Sequence, residues 1–275
     1  MMIDAHQHFW NVARGDYEWM TPASPLHRNY LPQDFAAIKT QFGIDKTVLV
    51  QAAATVHETE YMLGLADAND SIGKVVGWID FENRADAKHL SRLAKHPKFS
   101  GVRPMIQDIA DVQWMHRPNV QWAYQAIIDL DLTFDALGFP QHLDLFLKLF
   151  QRYPKMRTII DHGMKPAIRD EAYEPWAAKM ATIARETTVF CKLSGLAAEA
   201  KAGWQIETLR SYIEHIVNVF GADRVMWGSD WPEVTLNGSY DSWLEAAKAC
   251  VTEAHQAQVF GETAQNFYRI HTTSS

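Results

Sequence analysis

The sequence has few cysteines, no long apolar run and no recognisable leader. Only two of its 275 residues are cysteine, Cys191 and Cys250, and they show no repeated spacing. This small number argues against a disulfide framework and against a cysteine-based zinc site, and it makes a reducing compartment the default. No apolar run approaches the ~20 residues of a membrane span, and the first residues lack the basic and apolar regions of a signal peptide. We therefore expect a soluble cytoplasmic protein with no membrane partner.

The sequence is also short of positive charge. Its 26 lysines and arginines are outnumbered by 33 aspartates and glutamates, which gives a formal net charge of -7. A nucleic-acid partner would need a basic face, so this class of function is disfavoured. The chain is 47% hydrophobic, enough to bury a large core. No linker or shift in composition divides it, and we predict a single domain over residues 1–275.

Short apolar segments alternate with helical patterns along the whole chain. Most of these segments are continuous apolar runs, which is typical of strands that are covered on both faces. Helical spacing of apolar residues follows each of them, and there is no glycine-rich dinucleotide-binding fingerprint. This alternation predicts an α/β protein with the (β/α)8 TIM-barrel fold. The predicted strands are 2–6, 47–51, 75–79, 101–105, 132–137, 157–162, 189–194 and 224–230.

Polar residues stand at the ends of several predicted strands, where a barrel of this kind places its active site. His6 and His8 are two residues apart, so a strand would aim both imidazoles to the same face. His162 and Asp230 each follow an apolar strand and precede a turn. Three imidazoles and a carboxylate suit Zn²⁺, or Mn²⁺ at lower affinity. Asp230 could instead act as a general base towards water.

Other strand ends suggest simpler roles. We expect Gln51, Asp80 and Ser194 to cap helices or to meet solvent. Arg103 has two interpretations, a substrate contact or a structural ion pair inside the mouth of the barrel.

Four motifs resemble those of the amidohydrolase superfamily. They are His-x-His after the first strand, Asp-His-Gly-Met-Lys-Pro at 161–166, Cys-Lys-Leu-Ser-Gly at 191–195 and Gly-Ser-Asp-Trp-Pro at 228–232. The likeness runs from Met2 to about Ile270. It is strongest to the branch of sugar-lactone and pyrone-lactone hydrolases, which includes L-fuconolactone and L-rhamnonolactone hydrolases. The resemblance implies an amidohydrolase-like barrel that opens a cyclic ester in carbohydrate metabolism.

The sequence departs from the two-metal members of the superfamily. Those members usually place a carboxylated lysine or a glutamate at strand 4 and a histidine at strand 5. Here the corresponding strands offer Arg103 and Asp135. We therefore expect at most one divalent metal, held by His6, His8, His162 and Asp230. Some members of the lactonase branch work without a tightly held metal, so its occupancy is left open.

The resemblance also suggests roles for individual residues. Asp230 would activate water, with His162 as a second catalytic group and the metal or the imidazoles polarising the lactone carbonyl. Arg103 and Lys192 are candidates for holding the carbonyl, or a hydroxyl-rich or carboxylate-bearing substrate. Trp10 and Trp19 lie in a long aromatic loop, 10–31, which suits either a lid that stacks on a sugar ring or ordinary packing. Trp231 is expected on the pocket wall.

Two other functions fit the same residues. The first is a metal-dependent non-oxidative decarboxylase of the same superfamily, acting on an aromatic or dienyl acid. The second is a catalytically inactive barrel that serves as a binding module. The sequence does not specify the lactone, its ring size, the metal or the oligomeric state. A homo-oligomer is one of the alternatives.

Overall fold

The computed structural model describes residues 1–271, and these residues contain one sheet of eight parallel strands in the order β1 to β8. The predicted α/β barrel is confirmed. The strands are β1 (Met2–Gln7), β2 (Ile44–Val50), β3 (Ile72–Gly77), β4 (Phe99–Val102), β5 (Thr133–Ala136), β6 (Arg157–Ile160), β7 (Phe190–Leu193) and β8 (Val225–Trp227).

Helices follow the strands and cover the outside of the barrel. Short 3₁₀ segments and one π-helical turn, Gln258–Glu262, complete the helical structure. The α-helices are α1 (Pro32–Phe42), α2 (Val56–Ala68), α3 (Ala87–Leu93), α4 (Gln121–Asp129), α5 (Leu143–Arg152), α6 (Trp176–Glu186), α7 (Leu196–Glu199), α8 (Ile206–Phe220), α9 (Tyr240–Cys250), α10 (Glu253–Ala257) and α11 (Thr263–Tyr268).

Apolar side chains cover both faces of the strands. In β2, the last four residues are all buried, as expected for a strand with the barrel interior on one side and helices on the other. The helices contribute apolar stripes at helical spacing. In α8, for example, Leu209, Ile213, Ile216 and Phe220 are buried against the barrel.

The chain closes the barrel between β1 and the segment that follows β8. The Asp230 N–H donates to the His6 carbonyl at 2.7 Å, and the His8 N–H donates to the Trp231 carbonyl at 2.7 Å. The Ser229 N–H donates to the Asp4 carboxylate at 2.8 Å. These bonds join the two ends of the sheet at the same level as the histidines of β1, so closure of the fold and assembly of the site coincide.

The sequence placed all eight strands correctly but extended most of them too far at the carboxyl end. The predicted strand 157–162 ends at Ile160, because residues Asp161–Met164 turn into a 3₁₀ segment. Between β3 and β4, a 3₁₀ turn, Arg84–Asp86, leads directly into α3. Of the predicted domain, residues 272–275 lie outside the described residues. Within residues 1–271, no helix combines the length and apolar character that crossing a membrane requires.

Candidate active site

The histidines of β1 and the aspartate after β8 meet at the carboxyl end of the barrel. His8 Nε2 lies 3.3 Å from Asp230 Oδ1, and His6 Nε2 lies 3.6 Å from the same oxygen. The His8 Nδ1 contacts the Val50 carbonyl at 2.8 Å. Since a carbonyl only accepts, Nδ1 donates to it, and Nε2 is the nitrogen that faces Asp230.

His162 reaches the same point from a strained turn after β6. Its backbone is left-handed, with φ of 53°, and Asp230 has the same conformation, with φ of 59°. Such conformations are uncommon in non-glycine residues and cluster at functional sites. The turn brings His162 Nδ1 to 3.9 Å from Asp230 Oδ2 and to 2.9 Å from the Ser194 hydroxyl.

Two glycines permit the close approach of these elements. A Cβ on Gly228 would lie 2.6 Å from the Cβ of His6, and a Cβ on Gly195 would lie 2.5 Å from the Nδ1 of His162. Gly195 also has a φ of +68°, which favours glycine. Both glycines belong to the motifs that gave the family resemblance, and the structure gives them a steric reason.

The donor set of His6, His8 and Asp230 fits a tetrahedral divalent ion. Ligands about 2.0–2.1 Å from zinc lie ~3.3–3.5 Å apart in tetrahedral geometry, close to the 3.3 and 3.6 Å separations from Asp230 Oδ1. One ligand atom from each of these three residues lies within 4.8 Å of the other two. The same is true of a second group, His6, Asp161 and His162. His6 Nε2 faces Asp230 and also lies 3.3 Å from a guanidinium nitrogen of Arg103, a contact that a bound ion would replace.

Burial sets the charge of these groups. It lowers the pKa of His162 to about 4, and burial followed by the Lys192 ammonium holds the pKa of His6 well below its usual value. Burial acts to raise the pKa of Asp230, but His162, His8 and His6 outweigh it and leave that pKa below its ordinary value. At neutral pH the His6 and His162 imidazoles are therefore neutral and Asp230 is ionised, the forms that metal binding or general-base catalysis needs.

A buried network of charges lies beneath the three histidines. Lys192 Nζ lies 2.6 Å from Asp135, 3.0 Å from Asp161 and 3.1 Å from His6 Nδ1. The Tyr268 hydroxyl, from α11, donates to Asp135 at 2.8 Å. Lys192 is fully buried and does not line the cavity described below. The predicted substrate contact of Lys192 stays a prediction; the contacts observed here are with protein groups.

Arg103 joins this network to the site. One guanidinium nitrogen lies 3.3 Å from both Asp161 Oδ2 and His6 Nε2, and the other donates to Gln51 Oε1 at 3.1 Å. The Arg103 Nε is buried and has no hydrogen-bond partner within residues 1–271. The ion pair that the sequence offered as one interpretation of Arg103 is thus present, and the residue also lines the cavity.

The site opens into a cavity of about 380 Å³, within the range of roughly 300–1,000 Å³ typical of small-molecule sites. His8, His162 and Asp230 line it, together with Trp10 and Trp19 from the long first loop. Trp231 has a different position from the one predicted. It is not among the cavity-lining residues, and its ring packs against Phe9, Tyr30 and Phe35.

The two tryptophans that line the cavity are held by contacts with other parts of the chain. The Trp19 indole N–H donates to the Ala52 carbonyl at 2.7 Å, and the Ala52 and Ala53 N–H groups donate to the buried Glu58 carboxylate. Trp10 pairs with Tyr30 through two backbone hydrogen bonds. These contacts hold both indoles at the cavity.

Comparison with known proteins agrees with this geometry. The amidohydrolase family model matches residues 3–270. The chain belongs to the amidohydrolase family. It is 38% identical to an L-fucono-1,5-lactonase of Burkholderia ambifaria, with 99% of this chain and 97% of that protein covered. It is 31% identical to an L-fucono-1,5-lactonase of Burkholderia multivorans, with 98% and 96% covered.

A solved amidohydrolase from Burkholderia multivorans with bound zinc has the same fold. It superposes with a TM-score of 0.92 and is 29% identical, covering 98% of this chain and all of that one. The presence of zinc in that protein agrees with the donor set found in this amidohydrolase.

Sequence reasoning missed several residues of this amidohydrolase site. Gln51 and Ser194, expected to cap helices or meet solvent, are fully buried and contact Arg103 and His162. Glu199 and Glu233 line the cavity, and burial raises the pKa of both, that of Glu233 to about 7.

Some of the missed residues had a signal in the sequence, including Ser194, which belongs to the Cys-Lys-Leu-Ser-Gly motif. Glu233 stands three residues after Asp230, and Lys165, which also lines the cavity, belongs to the Asp-His-Gly-Met-Lys-Pro motif. Glu199, on the short helix α7, had no comparable signal.

Removal of the Ser194 hydroxyl should weaken the site without unfolding the protein. Ser194→Ala leaves the buried Nδ1 of His162 without its partner at 2.9 Å. Loss of a group that orients an active-site histidine typically costs about 10–100-fold in activity or metal affinity. We expect that loss in kcat/KM, with a small change in Tm. Ser242→Ala, which removes a hydrogen-bonded hydroxyl at the start of α9, is the control. Equal kcat/KM in both variants would mean that Ser194 does not orient His162.

Proposed function

We propose that this amidohydrolase opens the ring of a sugar-acid lactone by adding water to its carbonyl carbon. The observation that carries the proposal is the convergence of an ionised Asp230 with the imidazoles of His6, His8 and His162 at the end of a cavity of small-molecule size. The whole-length likeness to two L-fucono-1,5-lactonases supports the same reaction class. A lactone is therefore the proposed small-molecule partner, and the cytoplasm is the proposed location.

Asp230 is the proposed general base. It lines the cavity and is ionised at neutral pH, so it can take a proton from a water molecule placed between it and the substrate. The water oxygen bonds to the lactone carbonyl carbon, and the bond from that carbon to the ring oxygen breaks. The ring oxygen leaves as an alcohol and takes the proton that Asp230 received. His162, 3.9 Å from Asp230, is placed to orient the carboxylate or to share that proton.

A single divalent ion, Zn²⁺ or alternatively Mn²⁺, is the proposed cofactor. His6, His8 and Asp230 would hold it, with His162 as a fourth candidate ligand. When bound, such an ion polarises a carbonyl and stabilises the negative charge that develops on its oxygen. In its absence, the neutral imidazoles and Arg103 are the groups available for that task.

Arg103 is the proposed contact for the carbonyl or for an oxygen at the edge of the ring. It lines the cavity, and its Nε–H is an unpaired donor within the described residues. Trp10 and Trp19 supply apolar surface for one face of a sugar ring. For Lys192 we propose a positioning role through His6, because its ammonium group is surrounded by Asp135, Asp161 and that imidazole.

A pH-indicator screen over aldonic lactones tests the proposed reaction. Lactone opening converts a neutral ester into a carboxylic acid and releases a proton near neutral pH, whereas decarboxylation consumes one. We expect acidification with six-carbon or deoxy-sugar lactones and no reaction with linear amides or phosphate esters. If every lactone stays inert while an aromatic acid loses CO₂, the decarboxylase replaces the lactonase. If both panels stay inert with added metal, the proposal fails and a binding module is favoured.

A further inference from the structure

A second cleft adjoins the cavity of the proposed active site. It has a volume of about 770 Å³, and the long first loop and the loop after β2 form most of its wall. Trp19, Ala52, Met105 and Asp108 line both spaces. These four residues therefore form the boundary between the two spaces, and we call the second one the outer cleft.

The lining of the outer cleft discriminates between chemical classes of ligand. Its charged side chains include one arginine, Arg14, against three carboxylates, Asp16, Glu18 and Asp108. Arg14 is already paired with Asp16 at 2.6 Å, so it offers little to an anion. A phosphate or carboxylate would meet these three carboxylates and one arginine that is already paired, at an electrostatic cost. The Glu18 and Asp108 carboxylates can instead accept hydrogen bonds from the hydroxyl groups of a neutral molecule.

Trp19 adds the surface that a sugar ring requires. It is 45% exposed, although it is a large aromatic residue, and its indole N–H is held by the Ala52 carbonyl at 2.7 Å. The edge-to-face contact with Trp10, at 5.7 Å between ring centroids, fixes the orientation of the indole further. A rigid, half-exposed indole among hydrogen-bonding groups can stack on the apolar face of a sugar while its neighbours bind the hydroxyls.

From these observations we propose that the outer cleft is a subsite for a second, neutral sugar unit attached to the lactone ring. The substrate class would then include disaccharide aldonic lactones, with the lactone ring at Asp230 and the glycosidic unit beyond Trp19. The inference rests on the proposed lactone hydrolysis for the position of the first ring. The location of the subsite rests on the residues that the two spaces share.

The test compares disaccharide lactones, linked 1→4 and 1→6, with the corresponding monosaccharide lactone. If the outer cleft binds the second sugar, the best disaccharide lactone should have a KM about tenfold lower at a similar kcat, which corresponds to about 1.4 kcal/mol. A disaccharide lactone that carries a uronic acid in place of the neutral sugar should show no such gain.

The Ala54→Trp variant tests whether the lower KM of the disaccharide lactone arises in the outer cleft. Ala54 is exposed and lines this cleft but not the main cavity, so an indole there fills the space without disturbing the core. We expect the ratio of kcat/KM for disaccharide over monosaccharide lactone to fall about tenfold in this variant. The matched control is Ala37→Trp on α1, also exposed and outside both spaces, and it should keep the wild-type ratio.

The outcomes separate the subsite from the reaction. If monosaccharide lactones are hydrolysed but no disaccharide lactone shows a lower KM, or if Ala54→Trp keeps the wild-type ratio, the subsite is wrong and the lactonase stands. If no lactone is hydrolysed, the affinities of neutral disaccharides and of monosaccharides, measured by calorimetry, test the subsite independently of the reaction. Tighter disaccharide binding that Ala54→Trp abolishes would support the subsite alone, and equal binding would overturn it.

Discussion

Replacement of Asp230 with asparagine is expected to lower kcat by about 10²–10⁴, the usual contribution of a positioned general base. Asparagine keeps the size of the side chain but cannot take a proton from water. It also tolerates the left-handed backbone that Asp230 adopts, with φ of 59°, so the turn after β8 should survive. The effect should appear in kcat and in kcat/KM, measured with the most active lactone, because the proton transfer belongs to the transition state.

The control for this variant is Asp144→Asn, which removes a carboxylate from α5, where the side chain is 65% exposed and paired with Lys179. It should retain wild-type kcat. A near-wild-type kcat in Asp230→Asn would remove this residue from the mechanism and transfer the role of base to His162.

Replacement of Lys192 with methionine is expected to destabilise the fold by about 3–5 kcal/mol, the usual cost of removing one partner from a buried ion pair. The ammonium group lies within 3.0 Å of both Asp135 and Asp161, and all three side chains are fully buried. Methionine fills much of the volume but leaves Asp135 without a cation and Asp161 with Arg103 alone. Urea denaturation at neutral pH should show a lower midpoint with little change in slope.

Lys179→Met is the matched control, since it removes the same charge from a surface pair. Lys179 lies 2.9 Å from Asp144, but the two side chains are 32% and 65% exposed. Such pairs contribute about 0–1 kcal/mol. If the two lysine variants lose similar, small amounts of stability, the buried network does not hold the barrel together and our account of Lys192 is wrong.

The architecture was predictable from the sequence because each strand can be recognised from its own residues. Runs such as 48–50 and 225–227 are apolar throughout, and an eight-fold alternation with helices leaves few folds to consider. The convergence of His6, His8, His162 and Asp230 followed from the fold, since parallel strands of a barrel bring their carboxyl ends to one rim. Here the local pattern and the topology carry the same information.

The contacts inside the barrel were not predictable in the same way. Whether Lys192 faces substrate or protein depends on Asp135 and Asp161, which come from two other strands. The position of Trp231 was not predictable for a related reason. Its ring packs with Phe9, Tyr30 and Phe35, and no local pattern specifies these partners. Such pairings are fixed by the strand register and the path of the long first loop, neither of which a single sequence displays.

The most direct test of the account is lactone turnover in water enriched in ¹⁸O. If Asp230-activated water attacks the carbonyl carbon, the product should carry one ¹⁸O atom in its carboxylic acid group and none in the hydroxyl released from the ring. The label should appear faster than in the enzyme-free control, and Asp230→Asn should slow it to nearly that rate. A label in the released hydroxyl, or release of CO₂ with no labelled sugar acid, would contradict the proposed lactone hydrolysis.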